Sequence, residues 1–294
     1  EKVEYILLND ASDDNTLELL KLHTEGDGRF IVFDVREKEL NGKRGALQEG
    51  IKLARFPYIV ITDADCTHPE SWLYNFSNYF SAGFEVVVGP APYFKTSGLV
   101  NHIACFTNLR NFLLKYSMAG LGLPYSATAR NLGYKKELLL KTGGYASTAD
   151  SPSGDDDLLM REFNKIRARI AYADDRNFAV FSKTKEKLGA YILQKSRHTA
   201  SSFHYSLSSK IALWIWHFYN ILAQFGFLFM VFDVRIAYLT VVKIFFDIFV
   251  VLLFQKQFAY NFRIPAILSG QFLYELFIEI NFFNSLTGKS DWKK

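Results

Sequence analysis

Pro57-Tyr58-Ile59-Val60-Ile61-Thr62-Asp63-Ala64-Asp65-Cys66-Thr67-His68-Pro69 is the stretch on which the fold turns. An apolar run of strand type stops at two carboxylates spaced i, i+2 and passes into turn residues. A buried strand that delivers acids to the C-terminal edge of a sheet has this pattern. Open α/β folds bind ligands at that edge. Two hard oxygen donors there suit Mg²⁺ or Mn²⁺, with coordination positions left open for a diphosphate. The same two acids could instead cap the following helix, and this stretch alone leaves both readings of Asp63 and Asp65 open.

The surrounding sequence alternates strand and helix signals. Residues 3–8 read as a buried strand, 9–16 as a polar loop, and 17–23 as a helix. A second strand follows at 30–35, then a helix opened by Asn41-Gly42-Lys43-Arg44-Gly45 and running to 53. The strand 59–62, a helix at 70–80 and a strand at 85–89 repeat the alternation. This spacing predicts a mostly parallel sheet, Rossmann-like, with helices on both faces. Because the chain opens inside a strand, an N-terminal piece of the domain is expected to precede it.

Of 294 residues, 49% are hydrophobic and 28 are Phe, a high share for a purely soluble chain. The excess begins at Ile211, which divides the chain into a catalytic part, 1–205, and a transmembrane or interfacial helical part, 206–294. A net charge of +4 is too mild to argue for nucleic acid, and no basic-aromatic motif accompanies it. Cys66 and Cys105 show neither metal-ligand spacing nor a disulfide framework, so a reducing compartment is expected.

Five motifs follow one another in order: Asn9-Asp10-Ala-Ser12-x-Asp14-x-Thr16, Gly42-Lys43-x-x-Ala46, Asp63-Ala-Asp65, Gly154-Asp155-Asp156-Asp157-Leu158 and Gln194-x-x-Arg197-His198. The series resembles that of family 2 glycosyltransferases with the GT-A fold, and its pattern is similar to the membrane-attached cellulose, chitin and hyaluronan synthases and their non-processive relatives. The resemblance implies inverting transfer from a nucleotide-sugar donor, UDP-linked above all. Asp10, Lys43 and Asp63 would then hold the nucleotide, with Arg44 an alternative to Lys43 at the base or diphosphate. Asp65 with Asp63 would hold Mg²⁺ or Mn²⁺, and Asp156 would be the base that takes the acceptor proton, with Asp155 in reserve. Gln194, Arg197 and His198 would face the acceptor and diphosphate. His198 stands where the family usually carries Trp, and an imidazole offers less π-face to a sugar, which speaks against polymer synthesis. The residues themselves leave plainer readings open: Asp10 as a helix cap, Lys43 and Arg44 as a solvated face, one or two of the three acids at 155–157 as caps, and Arg197 as a basic anchor.

Lys183, Lys185, Lys187, Lys195 and Arg197 form a basic run before the apolar tail, as on the cytoplasmic face of a cell (inner) membrane. Three apolar stretches, 211–232, 236–254 and 264–283, approach the length of a spanning helix. Each also carries polar residues: His217, Asn220 and Gln224; Lys243 and Asp247; Gln271, Glu275 and Glu279. These must face one another or a polar conduit. An interfacial first helix, or a helical hairpin buried on the catalytic part, competes with three crossings. Three crossings would leave Lys289, Lys293 and Lys294 on the outside. The expected partners are a nucleotide sugar, a glycan or lipid-linked acceptor and the bilayer. A sugar nucleotidyltransferase and a non-catalytic membrane scaffold of the same fold are the other functional readings.

Overall fold

The computed structural model describes residues 2–287 apart from 152 and 230. Lys289, Lys293 and Lys294, on which the topology argument rested, lie outside the described residues. The chain begins with β1 (Tyr5–Asn9), α1 (Thr16–Thr24) and β2 (Phe30–Asp34), and β1 and β2 pair in parallel with Asn9 opposite Asp34. Then come α2 (Gly42–Leu53), β3 (Tyr58–Ile61), α3 (Trp72–Ser81), β4 (Val86–Val88) and a 22-residue helix, α4 (Leu99–Gly120). After it lie β5 (Leu132–Lys135), α5 (Lys136–Lys141), α6 (Asp155–Lys165), β6 (Ile170–Tyr172) and α7 (Leu188–Ala200). The tail folds into α8 (Leu207–Phe225), α9 (Arg235–Phe254) and α10 (Ile264–Leu286).

Strands β3 to β6 form a four-stranded sheet in the order β3-β5-β4-β6. The expectation of a mostly parallel sheet needs one correction. β3, β4 and β6 run the same way, but β5 lies between β3 and β4 and runs antiparallel to both. The long α4 returns the chain across the molecule, so β5 enters from the opposite end. Side chains of β4 alternate as a pleated strand requires: Val86 and Val88 join one apolar cluster with Leu159, Met160 and Phe163 of α6, and Val87 joins another with Phe76 and Phe80 of α3. Helices thus cover both faces of this sheet.

A third cluster joins Phe106, Leu109 and Phe112 of α4 to Tyr191 of α7, Val251 of α9 and Ile267, Tyr274 and Phe277 of α10. The tail is therefore packed onto residues 1–205 through α4 and α7. Among the described residues one helix, α9, is long and apolar enough to cross a membrane, with a mean hydropathy of 2.4. Three spanning helices do not follow. α10 buries its polar stripe, Gln271 and Glu275, against neighbouring helices, as a helix seated on protein would.

Candidate active site

The D-x-D acids leave the sheet as the sequence predicts. β3 ends at Ile61, and Asp63 and Asp65 occupy the turn beyond it. The Lys43 ammonium, from the first turn of α2, pairs with the Asp63 carboxylate, and Lys38 pairs with Asp10 in the loop after β1. His68 closes the D-x-D turn, its Nε2 lying 2.6 Å from the Thr62 hydroxyl.

Asp63, Asp65 and Cys66 bring one ligand atom each within 4.8 Å of one another. The two carboxylates fit a hard divalent cation. The thiol does not, because burial pushes its pKa up and keeps it protonated. Since Lys43 already neutralises Asp63, a cation would compete with that ammonium there and, among the described residues, meet no such rival at Asp65.

The second group of acids sits at the start of α6, where the helix dipole favours negative charge. Gly154 precedes them at φ +82, and a Cβ there would stand 2.3 Å from the Ser201 Cβ. Each acid does something different. Asp157 turns inward and accepts from Ser126 Oγ at 2.5 Å, Ala127 N–H at 3.2 Å, Tyr205 OH at 2.9 Å and Ser201 Oγ at 3.3 Å. Burial, and after it the neighbouring Asp156, pushes its pKa up to about 6. It ties α6 to the segment before β5 and to the end of α7.

Asp155 accepts from Arg44 Nε at 2.7 Å, and Arg44 Nη2 also donates to Ser151 O at 2.5 Å. Burial raises the Asp155 pKa and the Arg44 guanidinium opposes the rise. Arg44, only 6% exposed, is thus engaged with the acidic turn and is no solvated base contact. Among the described residues Asp156 is held by backbone N–H groups, its Oδ2 accepting from Ala129 N–H at 2.8 Å and its Oδ1 from Asp157 N–H at 3.0 Å.

α7 supplies Gln194, Arg197 and His198, and Ser153 Oγ donates to the Arg197 carbonyl at 2.8 Å. The His198 ring opens to the cavity but is enclosed by protein. That enclosure, with the positive charge of Lys195 beside it, pushes its pKa down, so the imidazole is neutral at neutral pH.

All nine residues singled out from the sequence, Asp10, Lys43, Asp63, Asp65, Asp155, Asp156, Gln194, Arg197 and His198, line one cavity of about 1970 Å³. Four of the five residues of the basic run line it too: Lys183, Lys185, Lys195 and Arg197.

Lys115 and Arg130 are cations of the wall that the sequence reading did not single out. Lys115 of α4 donates to Ala127 O at 2.8 Å and Thr128 Oγ1 at 3.1 Å, and burial pushes its pKa down despite the pull of Asp157 and Asp156. No motif surrounds it that could have signalled a role. Arg130 donates to Ser182 Oγ and, at 2.8 Å, to Ala91 O, and stacks over Tyr93 at 4.6 Å. It stands in the segment before β5.

Comparison with known proteins gives the wider setting. The family model described as glycosyl transferase family 2 matches residues 1–140, a span that holds Asp10, Lys43, Asp63 and Asp65 and ends before the acidic turn of α6. Over 66 residues, 22% of this chain, the sequence is 46% identical to a poly-beta-1,6-N-acetyl-D-glucosamine synthase of Staphylococcus aureus. It is 40% identical over 63 residues, 21% of this chain, to the synthase of that name from Staphylococcus epidermidis. These matches span 15% and 14% of those relatives' length. A crystal structure of S. aureus TarS 1–349 in complex with UDP-GlcNAc aligns with 76% of this chain and 62% of that one, at 14% identity and a TM-score of 0.46. The chain is thus similar to glycosyl transferase family 2 through residues 1–140, the part that carries the D-x-D acids and just under half of its length.

Proposed function

We propose that this chain moves a sugar, with inversion, from a nucleotide donor to a hydroxyl of a membrane-proximal glycan or lipid acceptor. The observation that carries the reading is the convergence of acids from three separated segments, and of cations from α4, α7 and the strand edge, on one cavity. In this reading Asp10, Lys43 and Asp63 hold the nucleotide. Asp65 with Asp63 would hold Mg²⁺ or Mn²⁺, which supplies positive charge to a departing diphosphate. Arg130, Lys195 and Arg197 add fixed positive charge to the same wall.

Asp156 takes the proton from the acceptor hydroxyl. Asp155 is the poorer base because Arg44 already neutralises it, whereas among the described residues the Asp156 carboxylate accepts hydrogen bonds from backbone N–H groups and keeps lone pairs for a hydroxyl. The donor to try first is UDP-GlcNAc, in view of the 46% identity to a poly-N-acetylglucosamine synthase. The enzyme would work at the cytoplasmic face of the inner membrane, with α9 as the element suited to a bilayer.

The test is a screen of UDP-, GDP- and CMP-sugars with Mn²⁺ or Mg²⁺, reading nucleotide release and product. Asp156→Asn and Asp65→Asn should each lower transfer by about 10²-fold or more with an unchanged melting temperature. Full activity in either variant removes the role given to that residue.

A further inference from the structure

The cavity that holds the acids continues into the tail. On α8, Lys210, Leu213, Trp214, His217, Phe218 and Ile221 line it at steps of three and four residues, a single stripe of the helix. The stripe is about 16 Å long at the helical rise per residue. It starts at a cation and turns mainly apolar within a turn. Trp214 and Phe218 stack with ring centroids 5.3 Å apart and are 68% and 49% exposed. α10 adds Phe277, Ile278 and Phe282 to the same cavity, with Glu279 and Asn281 between them.

The exposed rings of Trp214 and Phe218 could stack on a sugar, but most of this half of the cavity is better matched to a hydrocarbon chain than to a polysaccharide. Leu213, Ile221, Ile278 and Phe282 offer no side-chain hydrogen bond, so sugar hydroxyls lying along them would be desolvated without partners. A hydrocarbon chain has no such cost and gains from leaving water. The division of the cavity, with acids and cations at the strand ends and an apolar trough along α8, matches an amphiphile from end to end. Arg197 and Lys210 provide positive charge for a polar or anionic head.

We propose that the acceptor is an amphiphile whose hydroxyl-bearing head lies at Asp155 and Asp156 and whose hydrocarbon chain lies along α8, against the α10 residues that share its cavity. The inference rests on the transfer reading above. In the step, the head's hydroxyl oxygen bonds to the anomeric carbon of the donor. The bond from that carbon to the diphosphate oxygen breaks with its electron pair going to the nucleoside diphosphate, and the hydroxyl proton goes to Asp156.

The experiment uses the full chain in phosphatidylcholine nanodiscs with UDP-GlcNAc and alkyl β-glucosides from methyl to dodecyl. Acceptor KM should fall at least tenfold from methyl to octyl. Ile221→Ser combined with Ile278→Ser should remove most of that dependence and leave the donor KM in place. Leu239→Ser, on the exposed face of α9 and outside the cavity, should keep it. A flat chain-length series, equal loss in Leu239→Ser, or equal use of a short free oligosaccharide overturns the proposal. A second arm needs no turnover: a dodecyl glucoside brominated on its chain should quench tryptophan fluorescence, and Trp214→Phe should remove most of the quenching. Quenching that survives in Trp214→Phe overturns the trough even if transfer occurs. Absence of nucleotide release with every acceptor, together with Trp214-dependent quenching, overturns the transfer reading and leaves the amphiphile site supported.

Discussion

Arg110 of α4 donates to Asp247 of α9 at 2.9 Å, and Lys243, one turn earlier on α9, closes on the same carboxylate at 2.6 Å. Gln224 of α8 lies 3.3 Å and Glu275 of α10 3.9 Å from the Lys243 ammonium. All five side chains are buried. Four of the polar residues that interrupt the apolar stretches, Gln224, Lys243, Asp247 and Glu275, therefore meet one another, and they meet a partner on α4. Asp247→Ala leaves two buried cations facing each other and should destabilise the protein by about 3–5 kcal/mol, whereas replacing Arg110, Lys243, Asp247 and Glu275 together by apolar residues of similar size should cost far less. Thermal melts of the single and quadruple variants measure the difference.

Arg44 is the link between α2 and the acidic turn. Arg44→Ala removes the charge beside Asp155 and the hydrogen bond to Ser151 O, so the turn that carries Asp156 loses its anchor. The expected result is a fall in kcat of about tenfold or more with little change in donor KM. Arg44→Lys should recover only part of the loss, since an ammonium lacks the planar fork. Steady-state kinetics of the two variants against wild type decides it.

Gly154→Ala should be worse than a methyl group suggests. The residue is at φ +82, a left-handed conformation that Ala adopts at a cost, and the new Cβ would sit 2.3 Å from Ser201. A loss of about 1–3 kcal/mol is expected, with lower turnover because the first turn of α6 must shift. Denaturant unfolding measures the first effect and nucleotide release the second.

His198 gives a pH dependence of known sign. Its pKa in the folded protein lies below the ordinary 6.5 and falls to about 3. Between those values the unfolded chain binds a proton that the folded chain does not, so stability falls as pH drops from 6.5 towards 3. His198→Gln should flatten that part of the stability curve. Unfolding midpoints of both proteins across the window test it, and identical slopes refute it.

The first half of the fold was legible because its strands and helices alternate with short polar loops, and the acids stand where loops follow strands. α4 was not. Asn101, Thr107, Asn108 and Arg110 are buried in it among the apolar residues, so no single stripe marks it as amphipathic. The direction of β5 was equally hidden, for Leu132-Gly133-Tyr134-Lys135 carries no sign of which neighbours it will join. At the site the residue types were readable but their partners were not. Arg44 meets Asp155 from 111 positions away, a pairing that only the folded chain reveals. Lys115 was lost together with the helix that bears it.

The seating of α10 on α4 bears on how this protein can be handled in the laboratory. A shortened chain ending at residue 205 would bare Phe106, Leu109 and Phe112, which in the intact molecule share a cluster with Ile267, Tyr274 and Phe277. Such a fragment would carry a greasy strip with no covering and would aggregate. Expression trials that trim the hydrophobic end for convenience would therefore remove a wall of the very enzyme they aim to isolate.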